Sequence, residues 1–582
     1  MSKIEIIIKD FISGVEIKNT PEERAATQPF SKILVEDYDY PIENIQTRPQ
    51  YRVRERPSAE KNTYPVDIAI FKNSKKKDED LEIIVECKQP DKKSGIKQLK
   101  DYLKFSDASI GIWFNGKEKY ILHKTYSDGK VFYNELPAFP KYGERLEDIG
   151  NFKRKDLRPA KNLKTLFKTI RNYLAPNVVG ATRDEVLAQQ MINLIFCKIY
   201  DERFTKPEDT PKFRLGTNEE PKIVKDRILE IFDQVIKKFD DVIDKNDRIN
   251  LDQNSLSFVV GEIQRFSLSE SSRDAVADAF EVFIGPSLKG GQGQFFTPRN
   301  VIKMIIEIID PNENDLVLDP ACGSGGFLVE TLKHQWNKIE HNGAQLKWPD
   351  SQIEAEKQKV AIKNIRGIDK DNFLSKVAKA YMALLGDGRS GVYCENSLGK
   401  FSDWQNKTKI EVQPEKFDVV IANPPFGSKM KISNKEILSQ FEFGYTLKKD
   451  KSGILTRGAL KKDEVPQILF IERCLNFLKE GGRLGIVLPD GIFGNDKMGY
   501  IRDYLIENGE LQAVIDTPIE TFAPHTTTKT SVLIFKKTKT PRKNYKVFMS
   551  IAKYCGHNKR GDLIDEDDLP LITQQYRKWA KK

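Results

Sequence analysis

Cysteine and histidine are scarce in this sequence, and neither is spaced to hold a metal ion. The six cysteines lie far apart and include no C-x-x-C pair, and the five histidines show no ligand spacing. Neither a disulfide framework nor a zinc site is therefore expected, and the cysteines are typical of reduced thiols. No apolar run approaches the roughly 18 residues that span a bilayer, and acids follow the first methionine too closely for a signal peptide. These absences predict a cytoplasmic protein without a membrane segment.

The composition indicates a partner only weakly. The chain has 582 residues, enough for roughly three or four domains, and its mean hydropathy is −0.52. A net charge of +10 is compatible with a polyanionic partner, although many proteins of other functions are equally basic. Residues 111–117 have the G-x-x-x-x-G-K spacing of a phosphate loop, but Glu118 replaces the required Ser or Thr. The sequence therefore shows no sign of an ATP-driven motor.

Residues 65–71 and 81–88 are apolar runs on either side of a charged tip, and they predict a β-hairpin. If the turn is centred between residues 76 and 77, the numbers of paired residues add up to 153. Asp67 then lies opposite Glu86, and the two-residue period of a strand places Lys88 on the same face as Glu86. Opposed carboxylates repel each other, so a divalent cation between them would stabilise the pair. A solvated hairpin face without any chemistry is the simpler alternative.

This hairpin and the segment after it resemble the PD-(D/E)XK nucleases, in particular the N-terminal nuclease domain of type I restriction enzymes. The resemblance is carried by Pro65-Val66-Asp67, by Glu86-Cys87-Lys88, and by Gln98 and Tyr102 of a Q-x-x-x-Y helix. The proline lies one position earlier than in the family's usual pattern. The resemblance implies that Asp67, Glu86 and Lys88 are catalytic, that Asp67 and Glu86 bind Mg²⁺, and that Glu36 is a candidate further ligand. A solvated surface acid is an equally good interpretation of Glu36.

Helical periodicity dominates residues 151–285. A basic linker over residues 151–171 is followed by helical patterns at 183–200, 222–239 and 269–283. The apolar residues of the first pattern are typical of core packing, and we expect no chemistry there. The region loosely resembles the helical N-terminal domain of type I methylation subunits.

Two further motifs follow buried strands in the C-terminal half. A strand at residues 315–319 leads into a glycine-rich turn, and a strand at 417–422 ends in Asn423-Pro424-Pro425-Phe426. Ligands of open α/β sheets bind at the carboxyl ends of such strands. The Asn423 side-chain oxygen and the Pro424 carbonyl offer two acceptors to an exocyclic amino group, and Phe426 can stack on a flat base. Thr297 and Pro298 predict a helix start, with Thr297 as the cap and Pro298 as the first residue.

Three motifs in this order resemble the amino-methyltransferases of type I restriction–modification systems, which methylate adenine N6 in DNA with S-adenosyl-L-methionine (AdoMet). They are G-x-F-F-T-P-R at 293–299, D-P-A-C-G-S-G-G-F at 319–327 and N-P-P-F at 423–426. The resemblance implies that these residues bind AdoMet: Phe296, Thr297, Pro298, Asp319, Ala321, Cys322, Gly323, Asp369 and Asn396. Asn396 stands where many relatives have Asp, which leaves its contact with the adenine ring open. The resemblance also implies that Asn423, Pro424, Pro425 and Phe426 act on a flipped adenine.

The predicted fold class is multidomain α/β. It comprises a PD-(D/E)XK nuclease-like domain (1–150), a helical domain (151–285), a Rossmann-like AdoMet-dependent methyltransferase domain (286–540) and a C-terminal tail (541–582). Residues 427–463 carry a net charge of +5, and they predict either a mobile DNA-contacting loop or a merely solvated one.

The partners expected are double-stranded DNA and a separate specificity subunit in a hetero-oligomer, because the residues after 538 are too few for a target-recognition domain. The tail resembles the part of type I methylation subunits that contacts that partner. We expect an adenine methyltransferase that also carries a Mg²⁺-dependent endonuclease. One alternative is a methylation-only subunit whose N-terminal domain binds DNA or a partner. Another is a silent AdoMet-sensing scaffold, against which the intact Asn423 argues.

Overall fold

The computed structural model describes residues 7–54, 63–90, 92, 94–136, 138–177, 184–240, 242–271, 282–283, 297–386, 391–427, 430–449, 455–523, 526, 528–560 and 563–581. The chain divides into two compact units, Met1–Pro286 (unit 1) and Ser287–Lys582 (unit 2). Each unit contains a sheet and helices, so the protein is multidomain α/β, as its sequence predicts. No helix in the described ranges is long and apolar enough to cross a bilayer.

Unit 1 is built on a mixed sheet of six strands, and it has further strands outside that sheet. Its strands are β1 (Ile7–Lys9), β2 (Glu16–Lys18), β3 (Ile45–Gln46), β4 (Arg52–Arg54), β5 (Thr63–Pro65), β6 (Ile68–Phe71), β7 (Leu81–Cys87), β8 (Ile110–Phe114), β9 (Lys119–Ser127), β10 (Lys130–Glu135), β11 (Arg158–Pro159) and β12 (Phe266–Ser267). Its helices are α1 (Gln28–Glu36), α2 (Ile96–Lys104), α3 (Leu163–Asn177), α4 (Asp184–Phe204), α5 (Pro221–Lys238) and α6 (Gln253–Ile263). The sheet order is β10-β9-β8-β7-β6-β3, with β7 and β8 parallel and the other neighbours antiparallel.

The register of the β6–β7 hairpin is the predicted one from Ile68 to Ile70, and it shifts by one residue at Phe71, which pairs with Leu81. Ile68 pairs with Val85 and Ala69 with Ile84, so the residue numbers add up to 153. The first strand is shorter than predicted, because the chain leaves the sheet before Ile68. Pro65 has no N–H for the ladder and ends the separate β4–β5 ribbon instead.

The helices α3 to α6 follow the sheet in the chain. The predicted apolar face of α4 is buried, including Met191 and Leu194. The sequence did not predict α6, because Ser255, Ser257 and Gly261 are poor helix formers, yet all three are buried. The pattern predicted at 269–283 lies almost wholly outside the described residues. An ion pair of 2.6 Å between the buried side chains of Lys119 in β9 and Glu262 in α6 links the sheet to these helices.

Unit 2 contains a sheet of eight strands, and it has further strands outside that sheet. Its strands are β13 (Val317–Asp319), β14 (Ile365–Asp369), β15 (Val392–Cys394), β16 (Phe417–Ala422), β17 (Tyr445–Lys449), β18 (Leu455–Leu460), β19 (Leu478–Pro489), β20 (Gly509–Asp516), β21 (Thr530–Lys537), β22 (Phe548–Ile551), β23 (Cys555–His557) and β24 (Leu563–Asp567). Its helices are α7 (Arg299–Ile309), α8 (Gly326–Gln345), α9 (Asp350–Lys363), α10 (Asn372–Gly386), α11 (Asn406–Glu411), α12 (Lys435–Leu438), α13 (Pro466–Phe477), α14 (Gly491–Gly494), α15 (Gly499–Asn508) and α16 (Leu569–Ala580).

The order of the large sheet is β15-β14-β13-β16-β19-β21-β20-β22, and β21 runs against both of its neighbours. From β13 the chain proceeds to β14 and β15 on one side, then returns to β16 on the other. Such a reversal between neighbouring parallel strands opens a crevice at their carboxyl ends. The sheet therefore places a binding crevice beside Asp319 and the residues after β16.

Two segments of unit 2 contain secondary structure that the sequence did not predict. In residues 541–582, the predicted tail, β22 extends the sheet beside β20, and Asn300 of α7 donates to the Cys555 carbonyl at 2.7 Å. The basic segment after β16 is also more than a loop. It contains α12 and the antiparallel β17–β18 ribbon, and Leu438, Phe441 and Phe443 belong to the hydrophobic core of the unit.

Candidate active site

A cavity of about 430 Å³ opens at the carboxyl edge of the unit 2 sheet. Four neighbouring strands each bring a polar residue there: Asp319 and Asp369 end their strands, and Asn423 and Asn396 follow theirs by one and two residues. The predicted site residues that line it are Thr297, Asp319, Ala321, Cys322, Gly323, Asp369, Asn396, Asn423, Pro424, Pro425 and Phe426. Residues that the sequence predicted from three separate motifs thus surround one space. Phe296 lies outside the described residues.

The Asn423 amide is held at one end only. Its Nδ2 donates to the Thr297 hydroxyl at 2.9 Å, while its Oδ1 is buried and has no hydrogen-bond partner in the described part of the chain. An unpaired buried acceptor is costly, so the site favours a ligand that donates a hydrogen bond to it. Sequence reasoning missed this contact, because it joins residues 126 positions apart.

Thr297 is not the helix cap that the sequence predicted. The helix α7 begins at Arg299, and Pro298 occupies the cap position with extended backbone, so the helix starts one residue later than expected. Thr297 therefore precedes the cap. Its hydroxyl does not cap the helix and instead accepts the hydrogen bond from Asn423.

Phe426 is packed into the wall of the cavity. It is only 1% exposed, and its ring meets the ring of Phe522 edge-on, with centroids 5.7 Å apart. Pro424 and Pro425 line the cavity beside it. Stacking of Phe426 on a base therefore stays a prediction, and it requires one face of the ring to be reached from the cavity.

Two buried carboxylates organise the glycine-rich turn. Asp319 Oδ1 accepts from the backbone N–H of Ala321 at 3.0 Å, and Asp369 Oδ2 accepts from that of Gly323 at 2.9 Å. Gly323 has a φ of +51°, which suits glycine in this tight turn. Burial, together with the nearby Asp369 charge, raises the pKa of Asp319 well above its usual range, and burial also raises the pKa of Asp369. The second oxygen of Asp319 is buried with no described partner, so this end of the cavity favours a cationic donor.

The remaining predicted residues are close-packed around the turn. Cys322 is buried, and burial raises the pKa of its thiol, so it is not expected to react as a nucleophile. A Cβ on Gly367 of β14 would lie 2.5 Å from Leu328, which explains the glycine there. Asn396 Oδ1 accepts from the backbone N–H of Leu398 at 3.1 Å, which fixes its own loop.

A second candidate site lies in unit 1, where Glu86 of the predicted acid pair is buried and Asp67 is half-buried. Asp67 accepts from the Cys87 N–H at 2.8 Å and from the Gln50 amide at 3.2 Å, and Lys88 forms an ion pair with Glu86 as the shared face predicts. Burial and then the Asp67 charge raise the pKa of Glu86 to about 7. Burial also raises the pKa of Asp67. The two carboxylates are thus short of positive charge despite Lys88, and such a pair with water ligands suits Mg²⁺.

The structure places a different helix acid beside this pair. The Glu36 carboxylate accepts from the Asn162 amide at 3.0 Å, whereas Glu22 interacts electrostatically with Asp67 and Lys88. Burial, then the Asp67 charge, raise the pKa of Glu22. Sequence reasoning missed Glu22, because it lies before α1 in a segment without a strong periodic pattern. In the described residues, no three acidic, His or Cys side chains are grouped closely enough to form a complete metal cluster.

The C-terminal part of the chain, residues 271–582, matches the model of the N-6 DNA Methylase family. The chain belongs to this family. The matched range contains the whole of the unit 2 sheet. Residues 21–140 match a second model, that of the type I restriction enzyme R protein N terminus (HSDR_N).

Individual relatives have low sequence identity to this chain. This chain is 27% identical over 285 residues to the EcoEI methylase subunit, a type I restriction enzyme component of Escherichia coli; the alignment covers 48% of this chain and 50% of the relative. It is 23% identical over 304 residues to the restriction enzyme and methyltransferase RM.BcgI of Heyndrickxia coagulans, covering 51% and 40%. The chain thus spans about half the length, or less, of these curated relatives. A solved type I methyltransferase subunit from Streptococcus thermophilus is 18% identical, with a TM-score of 0.48, and the match covers 72% of this chain and 94% of that one.

Proposed function

We propose that this protein transfers a methyl group from AdoMet to the N6 amino group of an adenine in double-stranded DNA. The observation that carries the proposal is the buried, unpaired Asn423 Oδ1 in the same cavity as the buried, unpaired Asp319 Oδ2. The amide oxygen of Asn423 suits a neutral amino group, and the carboxylate oxygen of Asp319 suits an ammonium group. The family membership and the type I methylase relatives support the same reaction.

The cofactor end of the cavity is the glycine-rich turn. Bound AdoMet supplies a methyl group on a sulfonium, which makes it a strong electrophile. Asp319, with Ala321, Cys322 and Gly323, would hold its amino-acid portion, and the unpaired Asp319 oxygen fits the ammonium. Asp369 would accept from the ribose hydroxyls, and Asn396 would border the adenine ring.

The substrate end is Asn423-Pro424-Pro425-Phe426. A paired base cannot reach a cavity of this kind, so the target adenine must be extruded from the duplex. Its amino nitrogen is a weak nucleophile, because the lone pair is delocalised into the ring. Asn423 Oδ1 and the Pro424 carbonyl would each accept a hydrogen bond from one N–H of the amino group and draw the nitrogen towards tetrahedral geometry. Thr297 would keep the Asn423 amide in the orientation that presents Oδ1.

The test is AdoMet-dependent methyl incorporation into adenine, measured for the wild type and for Asn423→Ala. Loss of a positioned acceptor is expected to slow the reaction about 1,000-fold, while AdoMet binding is retained. If Asn423→Ala incorporates methyl groups as fast as the wild type, Asn423 has no role in the transfer. If the wild type modifies another atom of DNA, the assignment to adenine N6 fails.

Unit 1 supports a second candidate function, Mg²⁺-dependent DNA cleavage. The specific observation is that the half-buried Asp67 acts electrostatically on the buried Glu86, whose pKa is raised although Lys88 is paired to it. Bound Mg²⁺ would activate water and stabilise the charge that develops on the phosphate. Asp67 and Glu86 would hold the ion, and Lys88 would orient the water. The match of residues 21–140 to the type I restriction enzyme R protein N terminus supports a place in the restriction half of such a system.

The cleavage assay separates this function from methylation alone. Unmethylated plasmid with Mg²⁺ should be cut by the wild type and not by Glu86→Ala. The relatives are named as methylase subunits, so we propose that a separate specificity subunit completes a hetero-oligomer, and the assay includes it. Methylation without cutting by either protein would favour the alternative, in which unit 1 binds only DNA or a partner.

A further inference from the structure

The β23–β24 ribbon contacts two parts of unit 2 that in turn touch the motif at residues 423–426. On one side it packs against α7, and on the other against the short helical turn Ile519–Phe522 that precedes β21. Cys555 of β23 is buried, so the ribbon is anchored in the unit. None of the described ribbon residues lines the catalytic cavity. Any influence of the ribbon on the cavity must therefore pass through these two neighbours.

The first contact reaches the end of α7 that follows Thr297. Asn300 lies three residues after Thr297, and its Nδ2 donates to the Cys555 carbonyl at 2.7 Å and to Asp567 Oδ2 at 3.0 Å. The cap position of α7 supplies no side-chain hydrogen bond, so the link to the ribbon helps to fix the first turn of the helix. Because the Thr297 hydroxyl accepts from the Asn423 amide, the ribbon is connected to Asn423 through this turn.

The second contact reaches the ring that packs against Phe426. His557 Nε2 lies 2.9 Å from the backbone carbonyl of Glu520, and since a carbonyl only accepts, the imidazole is the donor. Glu520 belongs to the helical turn that ends in Phe522, and the ring of Phe522 meets that of Phe426 edge-on. Both rings are buried, so a shift of this turn would displace Phe426 in the cavity wall.

We propose that Asn300 and His557 are positioning residues for methyl transfer, through which the ribbon holds Asn423 and Phe426 in one fixed arrangement. This inference rests on the proposed adenine methylation. Transfer requires the acceptor and the aromatic wall to be in place together, and a displacement of about 1 Å can slow such a reaction about 100-fold. Each positioning residue acts through an intervening side chain, and neither lines the cavity. The ribbon, part of the predicted tail, thus supports the site from outside it.

The experiment measures kcat for AdoMet-dependent methyl incorporation by full-length Asn300→Asp. The change is nearly isosteric, and an acid in the first turn suits a helix, so α7 itself should be retained. The new carboxylate faces two other acceptors, the Cys555 carbonyl and Asp567, so the link to the ribbon is lost. We expect kcat to fall about tenfold, while AdoMet affinity is retained. Adding Asp567→Asn returns a donor to the pair and should restore most of the lost kcat.

A second variant and a matched control accompany it. His557→Leu removes the donor to the turn and should lower kcat about as much, whereas His557→Gln keeps a donor and should retain most of the activity. The control is Arg577→Ala, because Arg577 of α16 donates to the Glu307 carbonyl at 3.2 Å, near the far end of α7. It should keep the wild-type kcat. The inference is overturned if Asn300→Asp also keeps it, or if Asn300→Asp slows Thr297→Val as much as it slows the wild type.

Crystal structures separate this inference from the proposed methylation. The distance between Thr297 Oγ1 and Asn423 Nδ2 is 2.9 Å in the wild type. In Asn300→Asp it should exceed about 3.2 Å, whereas Arg577→Ala should retain the hydrogen bond. A wild type that incorporates no methyl group into adenine would contradict the proposed function, and this distance would still decide the inference. An unchanged distance in Asn300→Asp would overturn the role of Asn300.

Discussion

The two candidate sites differ in how their polar groups are satisfied. In unit 2, Asn423 and Asp319 each leave one buried oxygen without a described partner. In unit 1, both oxygens of Asp67 already accept hydrogen bonds, and Glu86 is paired with Lys88. The unit 2 cavity thus offers two unsatisfied acceptors to the donors of a ligand, whereas the unit 1 acids are partly neutralised by the protein itself.

This difference predicts different responses to ligands. A ligand of unit 2 fills unsatisfied acceptors, so loss of an acceptor should cost much affinity or rate. A cation in unit 1 must compete with Lys88 and with protons, because the pKa of Glu86 is about 7. Its binding should therefore be weaker and dependent on pH.

Among the changes in ligand affinity, the largest is expected for Asp319→Asn, a nearly isosteric change that removes the charge at the cofactor end. AdoMet affinity, measured by calorimetry, should fall about 100-fold, because the ligand's ammonium would lose a buried partner. An unchanged melting temperature would show that the fold is intact. Glu86→Gln is the control and should bind AdoMet as the wild type does. If the AdoMet affinity of Asp319→Asn stayed within about threefold of that of the wild type, the proposed contact between Asp319 and the ammonium group would be wrong.

Thr297→Val should slow methyl transfer about 30-fold, because the Asn423 amide loses the acceptor that orients it. Thr297→Ser keeps a hydroxyl and should retain a kcat close to that of wild type. Since Thr297 acts through Asn423, the double variant Thr297→Val/Asn423→Ala should be no slower than Asn423→Ala alone. Additive losses in kcat would show that Thr297 has a separate role.

The parts of this structure that were predicted correctly are local. The register of β6–β7 follows from the charged tip, and the strand-to-turn motifs at Asp319 and Asn423 place both residues at one sheet edge. Period-two alternation and buried apolar runs determine these features within about ten residues of chain. The order of the parallel strands then brings the motifs together.

The parts that were missed depend on distant packing. The Thr297 contact joins residues far apart in sequence, and the start of α7 shifted by one residue, which helix-capping patterns do not determine. In the basic segment after β16, the apolar anchors Leu438, Phe441 and Phe443 are spread among charged residues, so composition alone predicted a loop. Glu22 precedes α1 and Glu36 is its last residue, and only the tertiary arrangement decides which one lies beside Asp67.

The third prediction concerns the pH dependence of Mg²⁺ binding by unit 1. The folded pKa of Glu86, about 7, is above its ordinary value of 4.5, so the stability from the protonated group is lost as pH rises through 7. Mg²⁺ requires the ionised form, so its affinity should fall about tenfold for each pH unit below 7. Titration calorimetry at about pH 6 and about pH 8 measures this. Glu86→Gln should abolish the dependence, and an equal affinity at both pH values would exclude Glu86 as a ligand.

The smallest effect is expected for Glu22→Gln, and it distinguishes the role of Glu22 from that of Glu36. Glu22→Gln removes a charge that acts on Asp67, and it should weaken Mg²⁺ binding about threefold, an effect of the size of a partly screened charge pair. It should also lower the pKa of Glu86, since Glu22 is one of the charges that raise it. Glu36→Gln is the matched control, because its carboxylate is bonded to Asn162 and should not affect the site. If Glu36→Gln weakened Mg²⁺ binding and Glu22→Gln did not, the helix acid predicted from the sequence would be the functional one after all.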